Sequence, residues 1–228
     1  MARLTIASHG EVPGGPPEER RMVPVIPPAT LSAPAAAERR RSIRQFRDEK
    51  VSSEVLDQLL SLAGRAPSAF NLQPWRLVVV QDAALRERLC EAALGQPQVK
   101  SAPVVLALYT DMVDTMARLD EVLPAGLEGV ERESRANRIR GSFDGQDAAA
   151  LEEWGARQGN IYLGYLLLLA ESLGLGTSPM LGFVPEQVRA LLEIPGHAPV
   201  VALVALGWPG QDGVRSERHA PGAIARFR

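Results

Sequence analysis

The chain has 228 residues, 46% of them apolar and 23% charged, with a formal net charge of −2. This balance describes a globular protein with enough apolar mass for its own core, and it excludes a disordered or collagen-like chain. A slightly acidic total also excludes a surface that is basic all over, so nucleic acid is not an expected partner.

Residues 1–30 are rich in proline, glycine and charge, as in "VPGGPPEERR" and "VPVIPPAT". They hold too little apolar area to offset the entropy of ordering, so a flexible arm is expected, followed by one domain over 31–228. The arm shows no apolar run of signal-peptide length. The single cysteine, Cys90, allows no intrachain disulfide and is read as core. A reducing, cytoplasmic setting is the expectation.

A helix is predicted from Pro34 to Arg41, with Pro34 in its first turn. "SSEVLDQLLSLAGRAPS" predicts a second, capped by Ser52 or Ser53 and bounded by Gly64 and Pro67. Its buried face is Val55, Leu56, Leu59, Leu60 and Ala63. "RLVVVQD", residues 76–82, is a strand. Asp82 then caps a helix with a stripe of Leu85, Leu89 and Ala92 or Ala93. "PVVLALYTD", residues 103–111, is a strand apolar enough to be buried on both faces.

Residues 112–155 carry many charges and a glycine break at "RIRGSFDGQD"; helical pieces around a mobile cap are expected. A long helix follows from Asp147 to Leu173. Its apolar run "IYLGYLLLLA" is half the length of about 20 residues that a membrane span needs, so no membrane is expected as partner. "LGLGTSPMLGF" is a loop and short strand. Pro185 opens another helix, and "APVVALVALGWP", residues 198–209, is a further core strand. The tail is a polar extension. Three or four strands separated by helices make an α/β or α+β domain.

Several chemistries are missing from the sequence. No glycine-rich fingerprint joins a strand to a helix, since "GLG" at 174–176 follows a helix, and there is no phosphate-binding loop motif. The histidines are His9, His197 and His219, and no pair has metal-ligand spacing. No G-x-S-x-G occurs. Chemistry therefore comes more easily from a bound cofactor than from side chains alone.

Two stretches stand out. In "RRRSIRQF", Arg40, Ser42 and Arg44 alternate where a helix gives way to extended chain. Guanidinium forks with a hydroxyl and backbone N–H groups suit a phosphate. A solvated basic face paired with Glu38, Asp48 and Glu49 explains the same residues. In "APSAFNLQPW", Pro67 and Pro74 stiffen a short loop that presents Ser68, Asn71 and Gln73. These groups suit the edge of a planar heterocycle; an ordinary loop ahead of a buried Trp75 is the alternative.

"RRSIRQF", "APSAFNLQPWRLVVV", "PVVLAL", "PMLGF" and "VRSERHAP", in this order and spacing, resemble the FMN-dependent nitroreductase family. The resemblance spans roughly residues 36–228 and is nearest to small NAD(P)H nitroreductase and quinone-reductase-like members. It implies an α+β fold with a central, mainly antiparallel sheet flanked by helices. It also implies a homodimer with a C-terminal extension onto the partner and two FMN sites at the interface.

By position, Arg40, Arg41, Ser42 and Arg44 would grip the FMN phosphate and ribityl chain. Arg215 and Arg218 would close on the phosphate, with Glu217 turned away. The Pro67–Asn71 loop, with Ser68 and Asn71, would reach the flavin of the partner subunit, and Gln73 is a further polar candidate. Pro179, Met180, Leu181 and Gly182 would lie beside the ring, a backbone N–H of Leu181 or Gly182 facing N5. The resemblance implies NAD(P)H as co-substrate and a small aromatic acceptor such as a nitroaromatic or quinone, with no side-chain acid or metal. Leu181 departs from the acidic residue common at that position. Other flavin reactions on the fold, an FMN store and a basic-patch interaction protein remain alternatives.

Overall fold

The computed structural model describes residues 30–228. The arm predicted over residues 1–30 thus lies, apart from its last residue, outside the described residues. Four strands, β1 (Trp75–Val80), β2 (Val104–Thr110), β3 (Gly176–Met180) and β4 (Val200–Gly207), form one sheet in the order β1-β2-β4-β3. All three pairings are antiparallel. The expected α+β architecture with an antiparallel sheet is what the chain adopts.

Period-two alternation sorts the central strands between two cores. Val104, Leu106 and Leu108 of β2, with Ala202, Val204 and Leu206 of β4, join one cluster. Val105 and Ala107, with Leu203 and Ala205, join the other. The first face is covered by α2 (Ser53–Ala63) and α8 (Ala148–Ser172), and α1 (Ala33–Arg39) packs on α8. The second is covered by α3 (Ala83–Ala92), α4 (Pro97–Ser101) and α9 (Pro185–Leu192). Each large apolar side chain buried this way contributes about 1.5–3 kcal/mol.

Local signals set the helix starts. The hydroxyl of Ser52 accepts from Val55 N, and the carboxylates of Asp82 and Asp147 accept from Leu85 N and Ala150 N at 2.8 Å each. Such caps satisfy first-turn donors that have no partner inside the helix. Helix α8 lies tight on the sheet. A Cβ at Gly159 would come within 2.8 Å of Thr110 Cγ2 and 2.9 Å of Val201 Cγ2. Further along, Tyr162 stacks on Trp75 at 5.1 Å between ring centroids.

Residues 112–145 form α5 (Met112–Ala117), α6 (Leu119–Val122) and α7 (Gly129–Gly141) over a small third core of Leu72, Met112, Leu119, Leu123, Ala136 and Ile139. Three expectations are corrected. Helix α1 ends at Arg39, because Arg40 and Arg41 lead into a segment that pairs with β3. Cys90 is half-buried, its Sγ 3.3 Å from the carbonyl of Gln96. The tail holds a short helix, α10 (Pro221–Ile224), that the sequence pattern does not signal.

Candidate active site

The extended segment 40–47 is pinned to the outer edge of β3 and to the chain beyond β4. Ile43 N donates to Thr177 O at 2.9 Å, and Ser42 and Thr177 form a parallel bridge. Arg47 N donates to Trp208 O and Gly210 N to Gln45 O, each at 2.9 Å. The C-terminal tail then folds back over it. A Cβ at Gly213 would fall 2.2 Å from Arg41 Cβ, so only glycine permits this approach. The crossing brings Arg40, Arg41, Ser42, Arg215 and Arg218 to one edge of the sheet.

Arg40 is half-buried, and its Nη1 is buried without a hydrogen-bond partner. Its pKa is lowered, first by burial and then by the charge of Arg218; Glu171 opposes this and Arg41 adds to it. Two guanidinium groups held near each other, one with an orphaned donor, suit a negatively charged partner. Arg41 and Arg215 line an adjoining cavity of about 440 Å³. They also line, with Arg218, a smaller one of about 290 Å³. Arg44, at the same edge, is exposed and makes no ion pair with a described residue. Glu217, expected to turn away, borders the smaller cavity, yet forms no ion pair with Arg215 or Arg218.

The 67–73 loop is held in an unusual conformation. Phe70, Asn71 and Gln73 have φ of 56°, 61° and 47°, the left-handed region that non-glycine residues rarely enter. Each such residue costs on the order of 1 kcal/mol or more, so the loop must be over-determined. Ser68 Oγ accepts from Gln73 N at 3.0 Å, and Gln73 Nε2 donates to Asn71 O and Oδ1 at 3.2 and 3.1 Å. Asn71 Nδ2 donates to Val122 O at 3.2 Å, and Ala69 N to Gln158 Oε1 at 3.0 Å. The polar groups expected to serve a heterocycle are thus partly engaged in shaping the loop.

The third group lies where β3 ends. Met180 is buried and its Sδ accepts from Gln98 Nε2 at 3.2 Å, while Gly182 O accepts from Gln96 Nε2 at 2.6 Å. Pro179 is half-buried, and Leu181 stands 76% exposed. Neither Leu181 nor Gly182 donates its backbone N–H to another described residue. A ligand edge placed there would meet free donors.

The arginine segment and Pro179–Gly182 share the β3 edge, whereas the 67–73 loop precedes β1 at the opposite edge. Three strand spacings, about 14 Å, separate these edges. The cavities of about 440 and 290 Å³ beside the arginine segment and those of about 460 and 380 Å³ beside the 67–73 loop share no lining residue.

Sequence reasoning missed one cluster and one lone residue. Asp111, Glu152 and His197 bring ligand atoms within 4.8 Å of one another. Asp111 Oδ1 accepts from Asp114 N at 2.8 Å and lies 3.1 Å from His197 Nε2. Both oxygens of Glu152 accept from Met112 N, at 3.1 and 3.2 Å. These carboxylates serve the start of α5. Burial raises the pKa of Glu152, helped by Asp111 and opposed by the Met112 N–H and His197. The lone residue is Arg135 on α7, which borders the 67–73 loop.

The fold is α+β, with a cluster of arginines at one edge of its sheet. The family model described as the nitroreductase family matches residues 37–208. An NADH dehydrogenase of Thermus thermophilus is 51% identical over 188 residues, 82% of this chain and 92% of that protein. An FMN reductase [NAD(P)H] of Bacillus subtilis is 31% identical over 181 residues, 78% of this chain and 66% of its own length. A solved structure from Exiguobacterium sibiricum, described as a nitroreductase in complex with FMN, superposes with a TM-score of 0.80 at 26% identity. It is matched over 88% of this chain and 99% of its own. The chain belongs to the nitroreductase family.

Proposed function

We propose that the protein takes hydride from NAD(P)H through FMN and reduces small electron-poor aromatic acceptors, nitroaromatics or quinones among them. It is an NAD(P)H-dependent oxidoreductase of the nitroreductase type, and FMN is its cofactor. The observation that carries this reading is the orphaned, buried Nη1 of Arg40 next to the Arg218 charge, a combination that suits a phosphate. Arg40, Arg41, Ser42, Arg215 and Arg218 would hold that phosphate. The free N–H groups of Leu181 and Gly182 would donate to the edge of the ring. FMN, when bound, supplies the redox chemistry. The chain supplies position, positive charge and access, and no described side chain is assigned as an acid.

A homodimer would complete the site. The 67–73 loop of one copy would reach the cradle of the other, which fits their places on opposite edges of the sheet. Ile161 and Tyr165 on α8, and Val214, Ile224 and Phe227 in the tail, are exposed large apolar side chains that a second copy would cover. A cytoplasmic location is proposed with it; among the described residues no helix is long and apolar enough to cross a membrane. The test is a steady-state acceptor screen with the FMN-loaded protein and NADH or NADPH. Turnover of a quinone or nitroaromatic well above that of free FMN is expected. A loaded protein that turns over no acceptor would overturn the catalytic reading.

A further inference from the structure

Three arginines around α5–α7 have acidic partners. Arg76 meets Asp114 at 2.6 Å, Arg118 meets Glu121 at 2.6 Å, and Arg132 lies 3.7 Å from Asp120. Arg135, Arg138 and Arg140 on α7 have no acidic partner among the described residues, and of these only Arg135 is half-buried. It makes no hydrogen bond or ion pair with any described residue. Glu131, one turn earlier, forms no ion pair with it. Arg135 lines a cavity of about 460 Å³ with Phe70, Asn71, Gln73 and Glu121. The carboxylate of Glu121 shares this cavity, but both its oxygens already accept from Arg118, and neither bonds Arg135.

The other wall of that cavity is aromatic. Phe70 is held in its left-handed conformation and stays 39% exposed. Its ring meets Phe143 edge-on at 6.2 Å, and Phe143 is braced in turn by Trp154 at 5.0 Å. The left-handed loop thus presents a braced ring on the same cavity as a half-buried guanidinium that bonds no described residue. A planar ring can pack on Phe70 while a tethered oxyanion takes the fork of Arg135.

We propose that Arg135, with Phe70, forms an anion-recognising subsite for the redox substrate, which would be a planar ring bearing a carboxylate or phosphate. This rests on the flavin reading, because the subsite borders the loop assigned to the flavin. The oxyanion could be the carboxylate of an acidic aromatic acceptor or the phosphate of the pyridine nucleotide.

The experiment is calorimetric titration of the FMN-loaded protein with benzoate, benzamide and ADP-ribose. The variants are Arg135→Ala, Arg135→Lys and, as control, the exposed Arg138→Ala. Arg135→Ala is expected to weaken binding of benzoate or ADP-ribose about tenfold, the scale of one charge-assisted hydrogen bond. Benzamide binding should not change, Arg135→Lys should recover part of the loss, and Arg138→Ala should show none. A loss confined to benzoate assigns the acceptor carboxylate; one confined to ADP-ribose assigns the nucleotide phosphate. Either supports the subsite. Affinities for both anions that are equal in wild type and Arg135→Ala, or no binding of either by wild type, overturn it while leaving the flavin reading intact. A wild-type protein that takes up no FMN overturns both.

Discussion

Replacing Arg40 by methionine separates a binding cradle from an ordinary surface arginine, because two observables should move in opposite senses. Methionine keeps much of the aliphatic volume and removes the charge. Nη1 of Arg40 is buried and unpartnered, and the group feels the like charge of Arg218. Removing it relieves an unsatisfied buried donor, worth about 1–3 kcal/mol before allowance for the exposed half of the side chain. The apoprotein should therefore melt at the same temperature as wild type or slightly above it. With FMN present the sign reverses. The lost charge-assisted hydrogen bond is worth about 1.5–3 kcal/mol, so the FMN Kd should rise roughly 10- to 100-fold. Fluorescence titration of the apoprotein with FMN, beside thermal melts with and without it, gives both numbers. Unchanged FMN affinity together with a destabilised apoprotein would refute the assignment and make Arg40 a structural residue.

Other consequences can be checked in parallel. Gly159→Val should cost about 2–3 kcal/mol in chemical denaturation, because α8 has no room against the buried Thr110 and Val201. The double variant Ile161→Glu, Tyr165→Glu should leave the fold intact, since both residues are already exposed, yet give a monomer in light scattering that has lost FMN affinity. The raised pKa of Glu152 favours the folded state at low pH. That contribution is complete below the ordinary carboxyl value of 4.5 and is lost as pH rises through the raised value. Glu152→Gln keeps an acceptor for Met112 N–H, so melts across this window should show the variant gaining on wild type as pH rises.

Much of the fold is legible wherever the deciding interactions are local. Ser52, Asp82 and Asp147 announce their helices because a cap acts within three residues. The unbroken apolar run of β2 announces a central strand because both its faces are covered. Arg40 and Arg41 read as the end of a helix, and helical propensity alone would keep them there. Pairing of Ser42 with Thr177, residues far apart in sequence, overrides it. The left-handed backbone at Phe70, Asn71 and Gln73 is not legible, since no glycine marks it and its supports come from α6 and α8. Helices α4 and α10 span 5 and 4 residues, too few to show a period. Arg135 is hidden for a different reason: a lone unpaired charge becomes visible only when the partners of its neighbours are known.

The central claim is that the basic cradle holds FMN and that the bound flavin is reducible by a pyridine nucleotide. The most direct measurement is the visible absorption spectrum of the purified, FMN-reconstituted protein under anaerobic conditions, before and after NADH or NADPH is added. The account predicts a bound flavin whose oxidised band bleaches rapidly with at least one of the two nucleotides. A protein that retains no flavin, or whose bound flavin stays oxidised with both, would contradict it.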